Sequence, residues 1–395
     1  MFSWFSKKNN HHPLTPSSIR RGNRTRQRVF VGISGGVDSS VSAALLLEQG
    51  YDVVGVFIRT WQPDWITCTW RDERRDAMRV CAHLNISFIE LDLEQEYKQG
   101  VADYMIAEYK AGRTPNPDVM CNREVKFGGF LKWALAHGAD YVATGHYARS
   151  SRAQEVLRSG TKPSVNVCSD AEQTSCARLL KGIDLAKDQS YFLWTLTNEQ
   201  LEKILFPIGH LQKSDVRKLA EKYKLPTATK KDSQGICFIG EIDMKDFLRH
   251  YIDVNSGNIL SVDGEIIGTH DGALFYTLGE RHGFMITKKS THDMPYYVVS
   301  KGIENNTITV SQDPASFENS TDTILIDCVW RQPIIADKKY TAQIRYHGEF
   351  KPCIIVQGKN NEWIVHFDES DFSLSPGQSV VVYDDEVCIG GGVVK

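Results

Sequence analysis

Between Arg28 and Thr144 the chain alternates short apolar runs with longer segments of helical spacing. The apolar runs of strand length are Arg28–Ile33, Asp52–Ile58, Ser87–Leu93 and Asp140–Thr144. Strands joined through helices pair in parallel, and their helices cover both faces of the sheet. The pattern therefore predicts an α/β fold with a doubly wound parallel sheet. Such sheets bind ligands beyond the carboxyl ends of their strands.

The helices predicted between these strands fit amphipathic spacing. They cover about residues 38–49, 72–84, 94–111 and 123–137, and further along the chain 214–223. The segments that lie at the carboxyl ends of the strands or enter that rim are 32–40, 59–61, 113–122 and 145–146. We expect these four segments to converge on one crevice at the rim of the sheet.

A chain of 395 residues is long enough for two or three domains. Residues 28–228 should form the nucleotide-binding domain and 229–303 a small central domain with Cys237 near its start. From about Thr307 to Val394 many short strands predict a C-terminal β-barrel, which we assign to 304–395. The stretch 150–176 is polar, weakly patterned and expected on the surface. Residues 1–27 form a basic tail.

Charge and cysteine content exclude several classes of protein. The net charge of -3 argues against a generally basic nucleic-acid coat, although a local basic groove is still possible. Nine scattered cysteines without a CxxC pair indicate a reducing compartment and no thiolate zinc site. The chain has no run of eighteen apolar residues, so the sequence predicts no membrane span. The basic tail is a disordered segment, an organellar transit peptide or an RNA-contacting arm. We expect a cytoplasmic protein, and the basic tail makes mitochondria the alternative.

A glycine turn follows the first strand and opens a helix at Ser34–Ser40 (SGGVDSS). Gly35 and Gly36 allow a tight turn and close approach to a ligand. The serine hydroxyls and the free N–H groups of the helix N-terminus attract phosphate. The Lys of a Walker A loop and the G-x-G-x-x-G of a dinucleotide site are both absent. The stretch predicts a phosphate-binding loop of another kind.

Two cysteines stand in unusual surroundings. Cys121 follows the proline-rich run Arg113–Met120, and a helix starting near Asn122 would place its thiol at a helix N-terminus, which lowers a thiol pKa. Cys237 follows Lys230, Lys231 and a glycine, which would also favour thiolate. An ordinary thiol is mostly protonated at neutral pH, so a chemical role for either requires such help. The other cysteines fit small buried apolar residues.

From about Val29 to the C-terminus the chain resembles the tRNA-specific 2-thiouridylase family. Within it, Ser34–Ser39 resembles the pyrophosphate-binding loop of the ATP pyrophosphatases. The resemblance rests on an ordered series of motifs. They are GISGGVDSS at 32–40, TPNPDVMCN at 114–122, ATGHYAR at 143–149, KDQSYFL at 187–193, DSQGICFIG at 232–240, GTHDGALFYTLGERHG at 268–283, IRYHG at 344–348 and PGQSVVVYDDEVCIGGG at 376–392.

The resemblance implies a tRNA-uridine 2-sulfurtransferase. In this family ATP adenylates O2 of the wobble uridine, and cysteine-borne sulfur then replaces that oxygen, releasing AMP. It implies that Cys237 carries a persulfide, that Cys121 is the nucleophile forming a transient disulfide with it, and that Asp118 acts beside them. Whether sulfide or the persulfide itself attacks the base stays open. Mg²⁺ is expected, held by Asp38, because it offsets charge on the departing pyrophosphate.

The remaining residue roles are also implied by the resemblance. ATP binding is assigned to Gly32, Ile33, Ser34, Gly35, Gly36, Val37, Asp38, Ser39, Ile58 and Gly145. Contact with the target base is assigned to Asn116, Pro117 and Asp118. Contact with tRNA is assigned to His146, Lys187, Asp188, Gln189, Arg345, Tyr346 and Gln378.

The resemblance also implies the partners. These are a tRNA of the Lys, Glu or Gln type with a wobble uridine, and a persulfide-donating sulfur carrier or cysteine desulfurase. We expect a monomer without membrane contact. The sequence does not identify the donor or the tRNAs, nor a role for Cys168 and Cys176.

Two other functions fit parts of the sequence. Related pyrophosphatase-loop enzymes use nitrogen nucleophiles to make argininosuccinate, GMP or lysidine, and these reactions need no cysteine pair. A non-enzymatic RNA-binding or nucleotide-sensing protein would keep the fold without chemistry. Asp38, Asp118, Cys121 and Cys237 argue against the second alternative, since a sensor needs no thiols. Assays of Cys121→Ala and Cys237→Ala separate the first alternative from sulfur transfer.

Overall fold

The computed structural model describes residues 26–66, 70–151, 177–232, 235, 237–238, 240, 242–287, 294–313, 321–369 and 374–395. Its strands are β1 (Arg28–Gly32), β2 (Asp52–Arg59), β3 (Ser87–Asp92), β4 (Tyr141–Ala143), β5 (Ala148–Ser150), β6 (Leu179–Lys181), β7 (Ile204–Leu205), β8 (Gly257–Leu260), β9 (Ile266–His270), β10 (Met285–Ile286), β11 (Tyr297–Gly302), β12 (Thr307–Ser311), β13 (Asp322–Trp330), β14 (Tyr340–Gln343), β15 (Phe350–Gln357), β16 (Trp363–Phe367), β17 (Ser379–Asp384) and β18 (Val387–Val394).

The α-helices are α1 (Val37–Glu48), α2 (Trp70–His83), α3 (Glu94–Tyr97), α4 (Tyr104–Lys110), α5 (Pro117–Met120), α6 (Leu131–Ala136), α7 (Asn198–Leu201), α8 (Lys213–Lys222) and α9 (Met244–Arg249). The π-helical segments Lys98–Asp103 and Cys121–Phe130 connect α3 to α4 and α5 to α6. Short 3₁₀ turns lie at Ser190–Leu193 and Ala273–Phe275. No helix in the described part of the chain is long and apolar enough to cross a membrane.

The N-terminal domain contains the predicted parallel sheet. Its strand order is β3-β2-β1-β4-β7, and every neighbouring pair is parallel. Alternate residues of β1 enter different cores, Phe30 on one face and Val29 with Val31 on the other. Because side chains alternate across a strand, helices must cover both faces. The doubly wound α/β fold is confirmed.

The helix predicted over 123–137 begins earlier than the sequence indicated. It starts at Pro117, where the Asn116 side chain accepts a 3.2 Å hydrogen bond from the Val119 N–H and caps it. Proline suits the first helical position because its missing N–H needs no partner there. Cys121 therefore lies beyond the first turn, and its expected position at the helix N-terminus is wrong.

The π-helical segment after Cys121 depends on a glycine. A Cβ added at Gly128 would lie 2.7 Å from the carbonyl oxygen of Arg123, five residues earlier. Only glycine lets the chain pass that oxygen without moving it. The wider i→i+5 turn changes which side chains share a face of the helix.

The central and C-terminal parts form two further sheets. The central sheet has the order β10-β9-β8-β12-β11, so β12, which the sequence placed in the barrel, pairs here with β8 and β11. Strands β13 to β18 close into a six-stranded barrel through the pairing of β13 with β18. Strands β5 and β6 of the N-terminal domain extend this sheet beyond β18. The predicted surface stretch 150–176 begins with Ser150, which is buried in β5, and residues 152–176 lie outside the described residues.

The proline-rich segment before α5 touches both other sheets. The Thr114 N–H donates to the Pro376 carbonyl oxygen at 2.7 Å, and the Thr114 and Thr277 hydroxyls lie 3.2 Å apart. The Lys301 ammonium donates to the Gly112 carbonyl oxygen at 2.8 Å, and burial lowers the pKa of Lys301 to about 8. These contacts fix the segment that leads to Cys121.

Candidate active site

The phosphate loop is built as the sequence predicted. Gly35 has φ +73°, and a Cβ there would lie 2.5 Å from the Glu73 carbonyl oxygen. Gly36 precedes α1 in an extended conformation, and no side chain caps that helix. The N–H groups of its first turn are therefore available to an anion. The Ser39 and Ser34 hydroxyl oxygens lie 3.2 Å apart beside them.

The turn after β4 packs directly onto this loop. A Cβ at Gly145 would lie 2.7 Å from the Ser39 nitrogen and 2.8 Å from the Asp38 carbonyl carbon. Glycine at 145 is therefore required by the approach of the two backbones. Ile58, the other predicted adenine-site residue, is buried at the end of β2. Their contact with adenine stays a prediction.

Asp38 is engaged by side chains that the sequence did not single out. Its carboxylate accepts hydrogen bonds from the Lys213 ammonium at 2.8 and 2.9 Å and from the Tyr147 hydroxyl at 2.9 Å. The same ammonium lies 2.9 Å from Asp232, which also pairs with Arg217. Lys213 therefore bridges the phosphate loop and the segment that leads to Cys237.

The two cysteines named by the sequence meet. The Sγ atoms of Cys121 and Cys237 lie 3.4 Å apart, although 116 residues separate them in the chain. A disulfide bond is about 2.05 Å long, so the two sulfurs are close enough to bond after a shift of little more than an ångström. The pair is therefore arranged for thiol–disulfide exchange.

Three side chains hold the backbone around Cys237. The Cys237 N–H donates to Asp118 at 3.1 Å, and its carbonyl oxygen accepts from the Tyr97 hydroxyl at 2.7 Å. The amide of Gln62 donates to the carbonyl oxygen of Phe238 at 2.9 Å. Gln62 follows β2 and Asp118 lies in α5, so the chain after β2 and the predicted segment 113–122 come together at the backbone of Cys237 and Phe238.

The two thiols differ in acidity. The hydrogen bond from Cys121, aided by the Lys126 charge, outweighs burial and lowers the pKa of Cys237. Burial, together with its hydrogen bond to Cys237, raises the pKa of Cys121 well above the ordinary value. The expectation of a lowered pKa is therefore wrong for Cys121, whereas for Cys237 it holds in direction but for a different reason. Lys126 supplies the nearby charge, while Lys230 pairs with Asp76 at 2.8 Å.

Lys126 lies beside the thiols, and His146 lies beside Lys126. The Lys126 ammonium is 3.4 Å from Nε2 of His146, and Nδ1 of that ring is 2.7 Å from the Thr144 hydroxyl. Burial and the Lys126 charge lower the pKa of His146 well below its ordinary value. His146 is thus neutral, accepting at Nε2 and donating from Nδ1. This predicted tRNA contact is a buried residue of the thiol pocket.

None of the other described cysteines has a lowered thiol pKa. Burial raises the pKa of Cys81 to about 11, and it raises those of Cys328 and Cys353 to about 12. Burial also raises the pKa of Cys388. They fit the expected structural role. Cys68, Cys168 and Cys176 lie outside the described residues.

The predicted tRNA contacts fall into two groups. Asp188 is buried and accepts from the Gly182 and Ser190 N–H groups at 2.8 and 3.0 Å, and Gln189 accepts from the Tyr147 N–H at 3.0 Å. These two side chains organise backbone. Arg345 and Tyr346 are exposed, and Lys187 is partly exposed with its ammonium 3.5 Å from Asp232. Gln378 is partly exposed and accepts from the Ser375 N–H at 3.0 Å.

Several residues of the site were missed by the sequence analysis. They are Tyr97, Lys126, Tyr147, Lys213 and Arg217. Tyr147 stands within the quoted motif at 143–149, and Lys126 stands four residues after the motif at 114–122, so their positions in the sequence were a signal. Nothing in the sequence pointed to Tyr97 or Lys213, because their partners are far away in the chain.

The chain matches three family models in succession. Residues 27–241 match the tRNA methyl transferase HUP domain, 245–312 the tRNA methyl transferase PRC-barrel domain, and 321–394 the aminomethyltransferase beta-barrel domain. Together they span nearly all of the chain described above.

Curated relatives match over almost their full length. The tRNA-specific 2-thiouridylase MnmA of Stutzerimonas stutzeri is 44% identical over 378 residues, which is 94% of this chain and 95% of the relative. That of Bacillus subtilis is 44% identical over 374 residues, 93% and 94% respectively. The solved U34-tRNA thiolase NcsA from Methanococcus maripaludis is 18% identical, covering 57% of this chain and 63% of its own, at a TM-score of 0.32, which is too low to support an inference.

Proposed function

Because this chain belongs to the tRNA-specific 2-thiouridylase family and is a tRNA-uridine 2-sulfurtransferase, we propose that it adenylates the uridine and passes sulfur through Cys237 and Cys121. The observation that supports the sulfur route is the 3.4 Å separation of the two Sγ atoms. Enzymes of this fold that use nitrogen nucleophiles have no need of such a pair. The uncapped N-terminus of α1 supports ATP binding at Ser34–Ser39.

The first step is attack of the uridine O2 on the α-phosphorus of ATP. A bond forms between O2 and phosphorus, the bond to the β-phosphate oxygen breaks, and pyrophosphate leaves while the base loses its N3 proton. The loop N–H groups and the Lys213 ammonium face the departing charge. Adenylation converts a poor leaving oxygen into AMP, which the sulfur can then displace.

Asp38 is the predicted ligand for Mg²⁺. The described residues hold no cluster of three potential metal-binding His, Cys, Asp or Glu side chains. Mg²⁺ is often held by one or two carboxylates together with substrate phosphates, so Asp38 fits the ion only when ATP is bound. When bound, the ion would offset charge on the pyrophosphate.

Sulfur enters at Cys237. Its thiolate attacks the terminal sulfur of a donor persulfide, which yields a Cys237 persulfide and the donor thiolate. Cys121 then attacks Sγ of Cys237, forming the disulfide and releasing sulfur at the level of sulfide. That sulfur displaces AMP from C2 by one of two routes. It attacks as free sulfide, or the outer sulfur of the persulfide attacks C2 before Cys121 cleaves it from Cys237. Each turnover leaves one disulfide, so a two-electron thiol reductant must restore the pair.

Reconstitution with full-length protein tests this route. ATP, Mg²⁺, a persulfide donor, a thiol reductant and tRNA are combined, and nucleosides are measured by mass spectrometry. We expect 2-thiouridine from the native protein and from Cys328→Ser, but none from Cys121→Ser or Cys237→Ser. Both active-site variants should still form the adenylated base when ATP is supplied. Full thiolation by either would refute the proposed route.

The partners, state and location are proposed on the same basis. We propose a tRNA of the Lys, Glu or Gln type as substrate, a persulfide carrier or cysteine desulfurase as donor, and a monomeric enzyme. Light scattering of the complex with tRNA tests the last point. We propose the cytoplasm as its location, with mitochondria as the alternative, and a fluorescent fusion of the full chain tests the choice.

A further inference from the structure

The buried side of the thiol pocket contains a cation to which the sulfur route assigned no role. Lys126 lies on the π-helical segment five residues after Cys121. In an α-helix, residues five apart point in different directions, since neighbours on one face are three or four apart. The i→i+5 turn brings them closer to the same face. The π-helical segment therefore places an ammonium group beside the thiols.

The surroundings of Lys126 fix where its charge acts. Its ammonium is 3.4 Å from Nε2 of His146, which is neutral and can only accept there. The acidic groups that face it are Cys237, Cys121 and Asp118. Burial alone would lower the pKa of Lys126, but these three groups outweigh it and raise that pKa.

We propose that Lys126 is a positioning residue for sulfur transfer: held by His146, its ammonium stabilises the Cys237 thiolate that takes sulfur from the donor. This proposal rests on the proposed function and adds a residue to it. The same ammonium lies close enough to Cys121 to stabilise its thiolate later, when Cys237 carries the persulfide and no longer bears the charge. One cation would then serve both thiols in turn.

The groups facing Cys237 from each packed element act in different directions. Cys121 donates a hydrogen bond to it, Lys126 lowers its pKa, and the Asp118 charge opposes them. Tyr97 donates to its carbonyl oxygen and not to its sulfur. Of these described groups that act on the Cys237 thiol, Lys126 is the one with a positive charge. Removing it should leave Cys237 in a buried site with a nearby carboxylate.

Thiol alkylation tests the proposal without ATP or tRNA. Reduced full-length protein is treated with iodoacetamide across a range of pH, and the rate at Cys237 is followed by peptide mass spectrometry. Loss of the Lys126 charge in Lys126→Met should raise the pH midpoint by about one unit or more, which is about a tenfold lower thiolate fraction at neutral pH. Lys132→Met, an exposed lysine on α6, should leave the midpoint unchanged.

Two further variants make the result decisive. Lys126→Gln, which keeps a polar side chain, should show the same shift as Lys126→Met, and it replaces that variant if Lys126→Met does not fold. Lys126→Arg keeps the charge and should stay nearer to the native midpoint than either. An unchanged midpoint in a folded, uncharged variant would overturn the proposal. If the Lys126 variants have an unchanged midpoint but Cys237→Ser still forms no 2-thiouridine, the role of Lys126 is overturned and the sulfur route stands.

Discussion

The hydroxyl of Tyr97 donates a 2.7 Å hydrogen bond to the carbonyl oxygen of Cys237, 140 residues further along the chain. Tyr97 is fully buried at the end of α3, within the core that covers one face of the parallel sheet. The core of the nucleotide-binding domain thus fixes the backbone of the residue proposed to carry sulfur. Asp118 fixes the same residue from its N–H.

Tyr97→Phe removes this anchor while keeping the ring. A buried carbonyl left without its partner costs about 1–3 kcal/mol, so we expect a lower unfolding midpoint and slower 2-thiouridine formation. Adenylation should be much less affected, because Tyr97 does not touch the phosphate loop. Comparison of 2-thiouridine formation with pyrophosphate release measures this. Tyr297→Phe, on the central sheet, is the control, and equal loss of both steps in Tyr97→Phe would contradict the anchoring role.

Lys213→Met should impair the nucleotide step. The Lys213 ammonium lies between the carboxylates of Asp38 and Asp232. Its removal takes away the cation that pairs with Asp38 at the phosphate loop, whereas Asp232 keeps its pairing with Arg217. We expect the Kd for ATP to rise tenfold or more, measured by equilibrium binding without tRNA. Lys218→Met alters an exposed lysine of the same helix, paired only with Asp215 in the described structure, and should bind ATP normally. Native ATP affinity in Lys213→Met would exclude a phosphate-directed role.

His146 predicts a loss of stability in mild acid. Its folded pKa is depressed by burial and by Lys126, so the unfolded chain takes up a proton that the folded chain refuses. The contribution of neutral His146 to the free energy of unfolding is complete above the unfolded pKa of about 6.5. It is lost as pH falls below that value, by up to about 1.4 kcal/mol per pH unit. Unfolding midpoints at pH 7.5 and 5.5 measure the effect.

His146→Gln should reduce that acid sensitivity, since an amide can accept from Lys126 without titrating. His282→Asn changes an exposed histidine and should retain the native difference between the two pH values. An identical acid response in His146→Gln and the native protein would show that other groups cause it.

Tyr346 provides a test of the predicted RNA surface. Its ring is 36% exposed and lies 4.3 Å from the ring of Phe192. Stacking of a base on an aromatic side chain contributes about 1–3 kcal/mol, so Tyr346→Ala should weaken tRNA binding about fivefold or more. Tyr346→Phe should bind nearly as well as the native protein, because it keeps the ring. Gel-shift titration at fixed salt gives the Kd values; equal affinity for all three proteins would remove Tyr346 from the interface.

Local patterns were enough to predict the parallel sheet and its phosphate loop. Continuously buried strands such as β1 and β2, and a glycine turn before α1, depend on neighbouring residues, so short apolar runs and glycines reveal them. The limits of elements were less certain. The helix before Cys121 begins at Pro117 because Asn116 caps it, and β12 joins the central sheet because β8 offers it an edge.

The sequence by itself determined that Cys121 and Cys237 occur in motifs suited to sulfur chemistry, with a phosphate loop to supply activation. Only the tertiary structure decided which thiol is acidic. That choice depends on Lys126, turned toward the sulfurs by a π-helical segment, and on the hydrogen bond from Cys121. Electrostatic effects on a thiol weaken with distance in space, and residues 121, 126 and 237 come close to one another only when the chain has folded.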